Sequence, residues 1–382
     1  MHHPMMIPRP MMTPRQRMLA VLEFGPPDRG FNHELGLWGQ TVDRWCREGM
    51  PDDVNLGSLI GGSEFFGLDR IGYLPLGVVE MLPAFEVETL EEDLRCVVTR
   101  HADGHVSRGL KEGVAHGTRL SMDQMLSFPV TDRAGFAAIR RRYDARSPAR
   151  YPEYWQDVKR CLAGRDYPLA LTHNACFGLY SFLRRLMGTE AACTIFYDDA
   201  ALAEEMLDFL TDSLIEVTTK ALAEMEIDYF NYFEDFAYNA GPLIGPNIFR
   251  KFLLPRYRRI NDHLRAHGVR HIWLDSDGNT EVLIPLLLEA GITFHWPLER
   301  AANMDPLKLR AKYGHDLGLG GGIDKRELAK GRKEIQAELL RHVPRLLEDG
   351  GYIPTIDHTV PPDVSYANFM YYLEQKERLL GG

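Results

Sequence analysis

The chain of 382 residues lacks most of what would tie it to nucleic acid, membrane or an oxidising compartment. Its formal charge is −10, so it has no basic face of the kind that phosphate backbones and anionic bilayers need. The locally basic stretches 140–142 and 256–259 read as solvated helix faces. Long apolar runs are missing too: the best, residues 282–288, is interrupted by Pro285 and followed by Glu289, too short to span a bilayer. The opening MHHPMMIPRPMMTPRQR carries prolines where an export signal needs an unbroken apolar core. There are only five cysteines and no C-x-x-C pair, which predicts reduced thiols and argues against an all-cysteine zinc site. No nucleophile elbow, phosphate loop or H-E-x-x-H pair occurs, so nothing supports a serine or cysteine hydrolase. These absences leave a cytoplasmic protein acting on a small molecule.

What is present is a rhythm. Residues 1–12 are rich in Pro and Met and predict a flexible terminus, with residues 13–382 forming one domain. TPRQRMLAVLEF predicts a helix capped by Thr13 with Pro14 in its first turn, and LGLWGQTVDRWCREG a second closed by Gly49. Between residues 86 and 122 the segments RCVVTRH, HVSRGL and HGTRLSM, with Asp103-Gly104 as a turn, predict a small antiparallel meander. From residue 151 short apolar segments alternate with helical ones: PLALTH (168–173), IDYFNYF (227–233), HIWLD (271–275), GITFHW (291–296), LGLGGG (317–322) and GYIPTID (351–357). A long helix follows Asp198-Asp199, with Leu202, Met206, Phe209, Leu210, Leu214 and Val217 on one face. Another should be kinked or split by Pro255 and stopped by Gly268. Parallel strands need such long crossovers, so the pattern predicts a mainly parallel α/β sheet with helices outside.

Polar residues gather after these strands. His173 and Asn174 follow the first, Glu234 and Asp235 the second, Asp275 and Asp277 the third, and His295, Trp296 and Glu299 the fourth. Asp324 follows the fifth, and Asp357 with His358 the sixth. In a barrel these ends share one mouth, where crowded carboxylates must be protonated, paired or bound to a cation. Asp275 and Asp277, two apart on an extended segment, point the same way. Structural alternatives stand beside each reading. His173 and His295 also suit a core, Glu234 and Asp235 a helix start, and Asp324 an N-cap with Glu327 completing a capping box. Asp277-Gly278-Asn279 also suits a turn and helix cap, and Tyr232 and Trp296 either floor a flat ligand or pack. The glycines of 318–322 either admit a substrate to the backbone or relieve crowding inside the sheet.

The order of these pieces resembles the uroporphyrinogen decarboxylase superfamily. The resemblance rests on TPRQR (13–17), FFGLD (65–69), YDDAALAEEM (197–206), AGPLIGPNIFRKFLLPRY (240–257), LDSDGN (274–279), GGIDKREL (321–328) and GGYIPTIDHTVPPDVSYAN (350–368). It implies an eight-stranded (β/α) TIM barrel with N-terminal helical and hairpin additions. The methyltransferase branch carries His-x-Cys and a later Cys where this chain has Asp275, Asp277 and His358. Those three residues would form an oxygen, oxygen and nitrogen set suited to Zn, Mn or Fe(II), without the soft thiolate shell. The tetrapyrrole decarboxylase branch's arginine-rich motif has no counterpart, and an acidic mouth is ill-suited to a substrate with eight carboxylates.

The leading expectation is therefore metal- or proton-assisted methyl transfer from a small methylated or methoxylated compound. Glu234, Asp235 and His295 are its catalytic candidates, and His173, Asn174, Tyr232, Trp296 and Glu299 its substrate contacts. The resemblance implies a corrinoid protein as partner, and a homodimer is the expected assembly. A decarboxylase and a non-catalytic ligand-binding relative are the alternatives.

Overall fold

The computed structural model describes residues 11–54, 56, 64–172 and 177–381. The predicted flexible terminus lies almost wholly outside them. Helix α1 (Pro14–Leu22) begins as its sequence dictates: Thr13 accepts the Gln16 N–H, and the Gln16 side chain returns to the Thr13 N–H. Strand β1 (Gly72–Tyr73) follows, then a four-stranded antiparallel sheet of β2 (Glu88–Glu92), β3 (Cys96–Arg100), β4 (Val106–Leu110) and β5 (Gln124–Ser127). The Asp103-Gly104 turn joins β3 to β4 as expected. HGTRLSM departs from expectation: only Thr118–Arg119 pairs, in a small hairpin with Val114–Ala115, and the next residues, β5, complete the sheet.

The main sheet adds β6 (Leu169–Ala170), β7 (Tyr229–Phe233), β8 (His271–Asp275), β9 (Phe294–Leu298), β10 (Gly318–Gly321) and β11 (Tyr352–Ile353). With β1 these make seven parallel strands in sequence order. Helices cross between them: α2 (Leu179–Met187), α3 (Ala200–Glu224), α4 (Leu254–Ala266), α5 (Arg332–Asp349) and, last, α6 (Tyr366–Leu380). Asp199 caps α3 by accepting the Leu202 N–H, and the α3 stripe is buried apart from Phe209, which is partly covered. Pro255 sits in the first turn of α4, and the turns before it, Phe249–Leu253, loosen into a π-helix.

Alternation along each strand splits the core in two. Outward residues such as Phe230, Ile272, Leu274 and Leu319 pack under the helices. Inward residues Ala170, Tyr229, Trp273, Phe294, Trp296 and Ile353 pack with Met18, Val21 and Leu22 of α1, which plugs the concave face. Large rings fill this interior, and the glycines of β10 make room for them. A Cβ on Gly320 would meet the Phe294 ring at 2.9 Å and Trp296 at 3.0 Å.

The fold is TIM-barrel-like, and among the described residues seven of the eight strands expected of a closed ring pair. The gap between β11 and β1 is spanned by residues 31–37 with few ladder bonds. Asp69 N–H donates to the Asn32 carbonyl on one side, and Leu37 bridges Val360 on the other. A carboxylate replaces the missing carbonyl: Ile356 N–H donates to Glu34, which also accepts from Tyr372 and Lys376 of α6. Lys376 is wholly buried and donates as well to the His33 carbonyl at 3.0 Å. The four described cysteines are free, and no helix among the described residues is long and apolar enough to cross a membrane.

Removing one member of a buried ion pair strands the other. Lys376→Met is thus expected to lower unfolding stability by about 3–5 kcal/mol in urea titration, with much of the loss recovered in Glu34→Gln/Lys376→Met. A single variant no worse than a surface substitution would show that the seam does not depend on this pair.

Candidate functional site

The C-terminal ends of the parallel strands bring acids and one imidazole together. Asp275 ends β8 and is register partner to Trp296 of β9, so both side chains face the concave side. The Asp275 side chain is almost fully buried, and its nearest charges are other acids. Burial pushes its carboxyl far above the usual carboxylate range, and Asp277 and then Asp235 push it further the same way.

Above it the chain turns sharply. Gly278 has φ +78°, and a Cβ there would lie 2.7 Å from the Ala237 carbonyl carbon. Its N–H donates to Glu299 at 2.9 Å, so Glu299 fixes the loop that carries Asp277. Asp277 reaches His358, with Oδ2 to Nε2 at 3.3 Å, while His358 Nδ1 bonds the Thr359 hydroxyl at 2.8 Å. Burial lowers the His358 pKa, but the bond to Asp277 outweighs it and leaves the imidazole more basic than usual. Both side chains remain partly open to solvent.

Lys325, following β10, stands 3.3 Å from Glu299 and 3.7 Å from Asp357. Asp357 is held from below by the backbone N–H groups of Arg300 and Lys325, and burial raises its pKa. Asp235 lines the other side, bonded to Arg184 and close enough to Asp275 to be felt.

Trp296 floors the mouth and donates to Asn231 at 3.2 Å. The ring of His33 stands 5.7 Å from Trp296, fully buried, with neither nitrogen hydrogen-bonded. Burial, helped by the charge of Lys376, lowers its pKa to about 3, so it is a neutral imidazole at the edge of the chamber. A buried polar group left open in this way marks a place where water or a ligand is expected.

Several predicted residues stand elsewhere. Glu234 is wholly buried and faces away from the mouth, accepting the Leu179, Tyr180 and Ser181 N–H groups and the Tyr257 hydroxyl. It caps α2 and ties it to β7, and burial still pushes its pKa up to about 7. Tyr232 and His295 are one residue out of step with the inward set, so they face the helices. Tyr232 donates to Asn261, and His295 bonds Thr280 while burial lowers its pKa to about 4. Asp324 is the N-cap it resembles, accepting from Arg326 N–H, while Glu327 pairs with Lys330 and not back to the cap. His173 and Asn174 lie outside the described residues. Among the described residues no three His, Cys, Asp or Glu side chains stand so as to hold a metal. Asp277 and His358 bond each other, so the expected trio of Asp275, Asp277 and His358 is not brought together as a cage.

Sequence reading missed His33, Asn231, Arg184 and Lys325. Asn231 had a signal, being in phase with Tyr229 on a strand already recognised. His33 had none, because its segment lacks a strand's apolar alternation.

The family model described as Uroporphyrinogen decarboxylase (URO-D) matches residues 116–378. Among solved structures, a methyltransferase from Methanosarcina mazei covers 96% of this chain and 99% of its own, at 17% identity and a TM-score of 0.59, a likeness of fold. A B12-independent methionine synthase from Shewanella sp. W3-18-1 aligns over 59% of this chain and 67% of that one, at 12% identity and a TM-score of 0.35. No curated protein matches. With a family match running from the small hairpin beside the meander to the last helix, the chain belongs to the uroporphyrinogen decarboxylase (URO-D) family.

Proposed function

We propose that the protein moves a methyl group from a small methylated or methoxylated compound to an acceptor, with Asp275 supplying the proton for the departing atom. The observation that carries this reading is the Asp275 carboxyl, buried at the mouth beside two other acids, a setting that raises its pKa and favours its protonated form. A flat substrate would rest on Trp296, with Asn231 and Lys325 as polar contacts. As the methyl carbon leaves oxygen for the acceptor, the Asp275 proton passes to that oxygen, which departs as a neutral alcohol. The Asp277–His358 pair, partly open to water, supports a return path for the proton. The acceptor implied by the family resemblance is a corrinoid carried on a partner protein, and the fold likeness to a methyltransferase is compatible with it.

A divalent metal at Asp275, Asp277 and His358 would be another way to neutralise the acids. The described side chains do not fit it, since both His358 nitrogens are already engaged, one by Asp277 and the other by the Thr359 hydroxyl.

Methylation of reduced cobalamin by a panel of methoxylated and methylated compounds tests the reading. Asp275→Asn is expected to slow the reaction by about 10²–10⁴-fold, the usual worth of a general acid. The wild-type rate should fall as pH rises and Asp275 ionises, and that fall should be absent from Asp275→Asn. An unimpaired Asp275→Asn enzyme, or release of CO₂ without methyl transfer, would replace this reading with another.

The same carboxyl sets a pH dependence of stability. Its pKa is raised on folding, so its contribution is fully present below the ordinary carboxylate pKa of about 4 and is lost as pH rises towards the folded value. The thermal midpoint of Asp275→Asn relative to wild type should therefore increase between pH 5 and pH 8.

A further inference from the structure

A second cavity opens beside the mouth, between the loop after β1, the β3–β4 turn and the helical layer, with a volume of about 1050 Å³. Its floor is apolar, built from Leu74, Leu76 and Met81, which belong to the core under the helices. Of its lining, Tyr73 alone also packs against the inward cluster of the sheet, so the two spaces are neighbours and not one chamber.

One wall is polar and its donors are uncommitted. Tyr143 is 6% exposed, yet its hydroxyl has no hydrogen-bond partner among the described residues, and burial pushes its pKa up so that it keeps its proton. Arg185 lines the same wall, half-buried, close enough to influence Tyr143 and Asp103 but with no ion pair or hydrogen bond to either. His105 closes the wall: its Nδ1 bonds Asp103 at 2.5 Å and its ring stacks on His101 at 4.1 Å, leaving Nε2 open. Each acid on this wall accepts a bond from its own neighbourhood, Asp103 from His105 and Glu80 from the Val79 N–H at 3.0 Å.

The geometry points to a binding site here for a small monocarboxylate with an apolar body. A planar carboxylate matches a free guanidinium fork and can accept from the Tyr143 hydroxyl at the same time. Glu80 and Asp103 on the same rim disfavour any anion, and a phosphate, with nearly twice the charge, more than a monocarboxylate. The apolar floor takes the rest of the ligand, in a volume at the upper end of small-molecule pockets. This site does not depend on the chemistry proposed for Asp275.

Calorimetric titration with 3-phenylpropionate and with its uncharged partner 3-phenylpropanamide tests the assignment. Wild-type protein should bind the acid and discriminate against the amide. Arg185→Gln should weaken acid binding by about ten- to a hundredfold, and Tyr143→Phe by about fivefold, at unchanged thermal midpoint. Arg185→Lys, which keeps the charge without the fork, should fall between. Asp275→Asn should bind the acid as wild type does. Equal binding of acid and amide, no binding of the acid, or an unchanged affinity in Arg185→Gln would overturn the assignment. Loss of binding in Asp275→Asn would do the same, by moving the acid into the barrel mouth.

Discussion

The structure depends on the two-residue repeat of its extended segments. Each parallel strand separates two environments, and a shift of one position carries a side chain from the chamber to the helical layer. Trp273, Asp275 and Trp296 fall in one phase and Leu274 and His295 in the other. The same repeat runs through residues 31–35, where Phe31, His33 and Leu35 turn inward while Glu34 turns towards α6. Side-chain chemistry at the mouth is a consequence of that phase more than of proximity in sequence.

Three buried carboxyls show how environment assigns roles to one functional group. Glu34 is matched by a lysine, a tyrosine and a backbone N–H, and serves as mortar in the seam. Glu234 has the donors of a helix N-terminus and serves as its cap. Asp275 is surrounded by other acids, and protonation is what relieves the cost of burying it. Of the three, it is the one whose chemistry is available to a ligand.

Most of the architecture was legible because parallel strands and crossover helices leave strong periodic marks. All six predicted strands form within about four residues of their bounds, the end of the first lying outside the described residues, and the α1 cap and the Pro255 break follow local chemistry. The first strand and the seam were illegible, since β1 has two residues and residues 31–37 are held by a few backbone bonds and by side chains. For the site, the strand ends directed attention to the right region but could not assign phase. Adjacent residues such as Glu234 and Asp235, or His295 and Trp296, were read as a unit although their side chains part company. The meander cavity left no mark in sequence, because its wall is drawn from a turn, a loop and a helix far apart in the chain.

The seam carries a consequence for biosynthesis. Glu34 and Lys376 are separated by 342 residues, so the carboxylate waits for nearly the whole polypeptide before its cation exists. At about 5–20 residues per second, a ribosome leaves the nascent chain with that edge unmet for tens of seconds. During that interval the early segment offers a bare acid and unsatisfied main-chain groups to whatever is nearby, and a factor that shields it would act before α6 emerges.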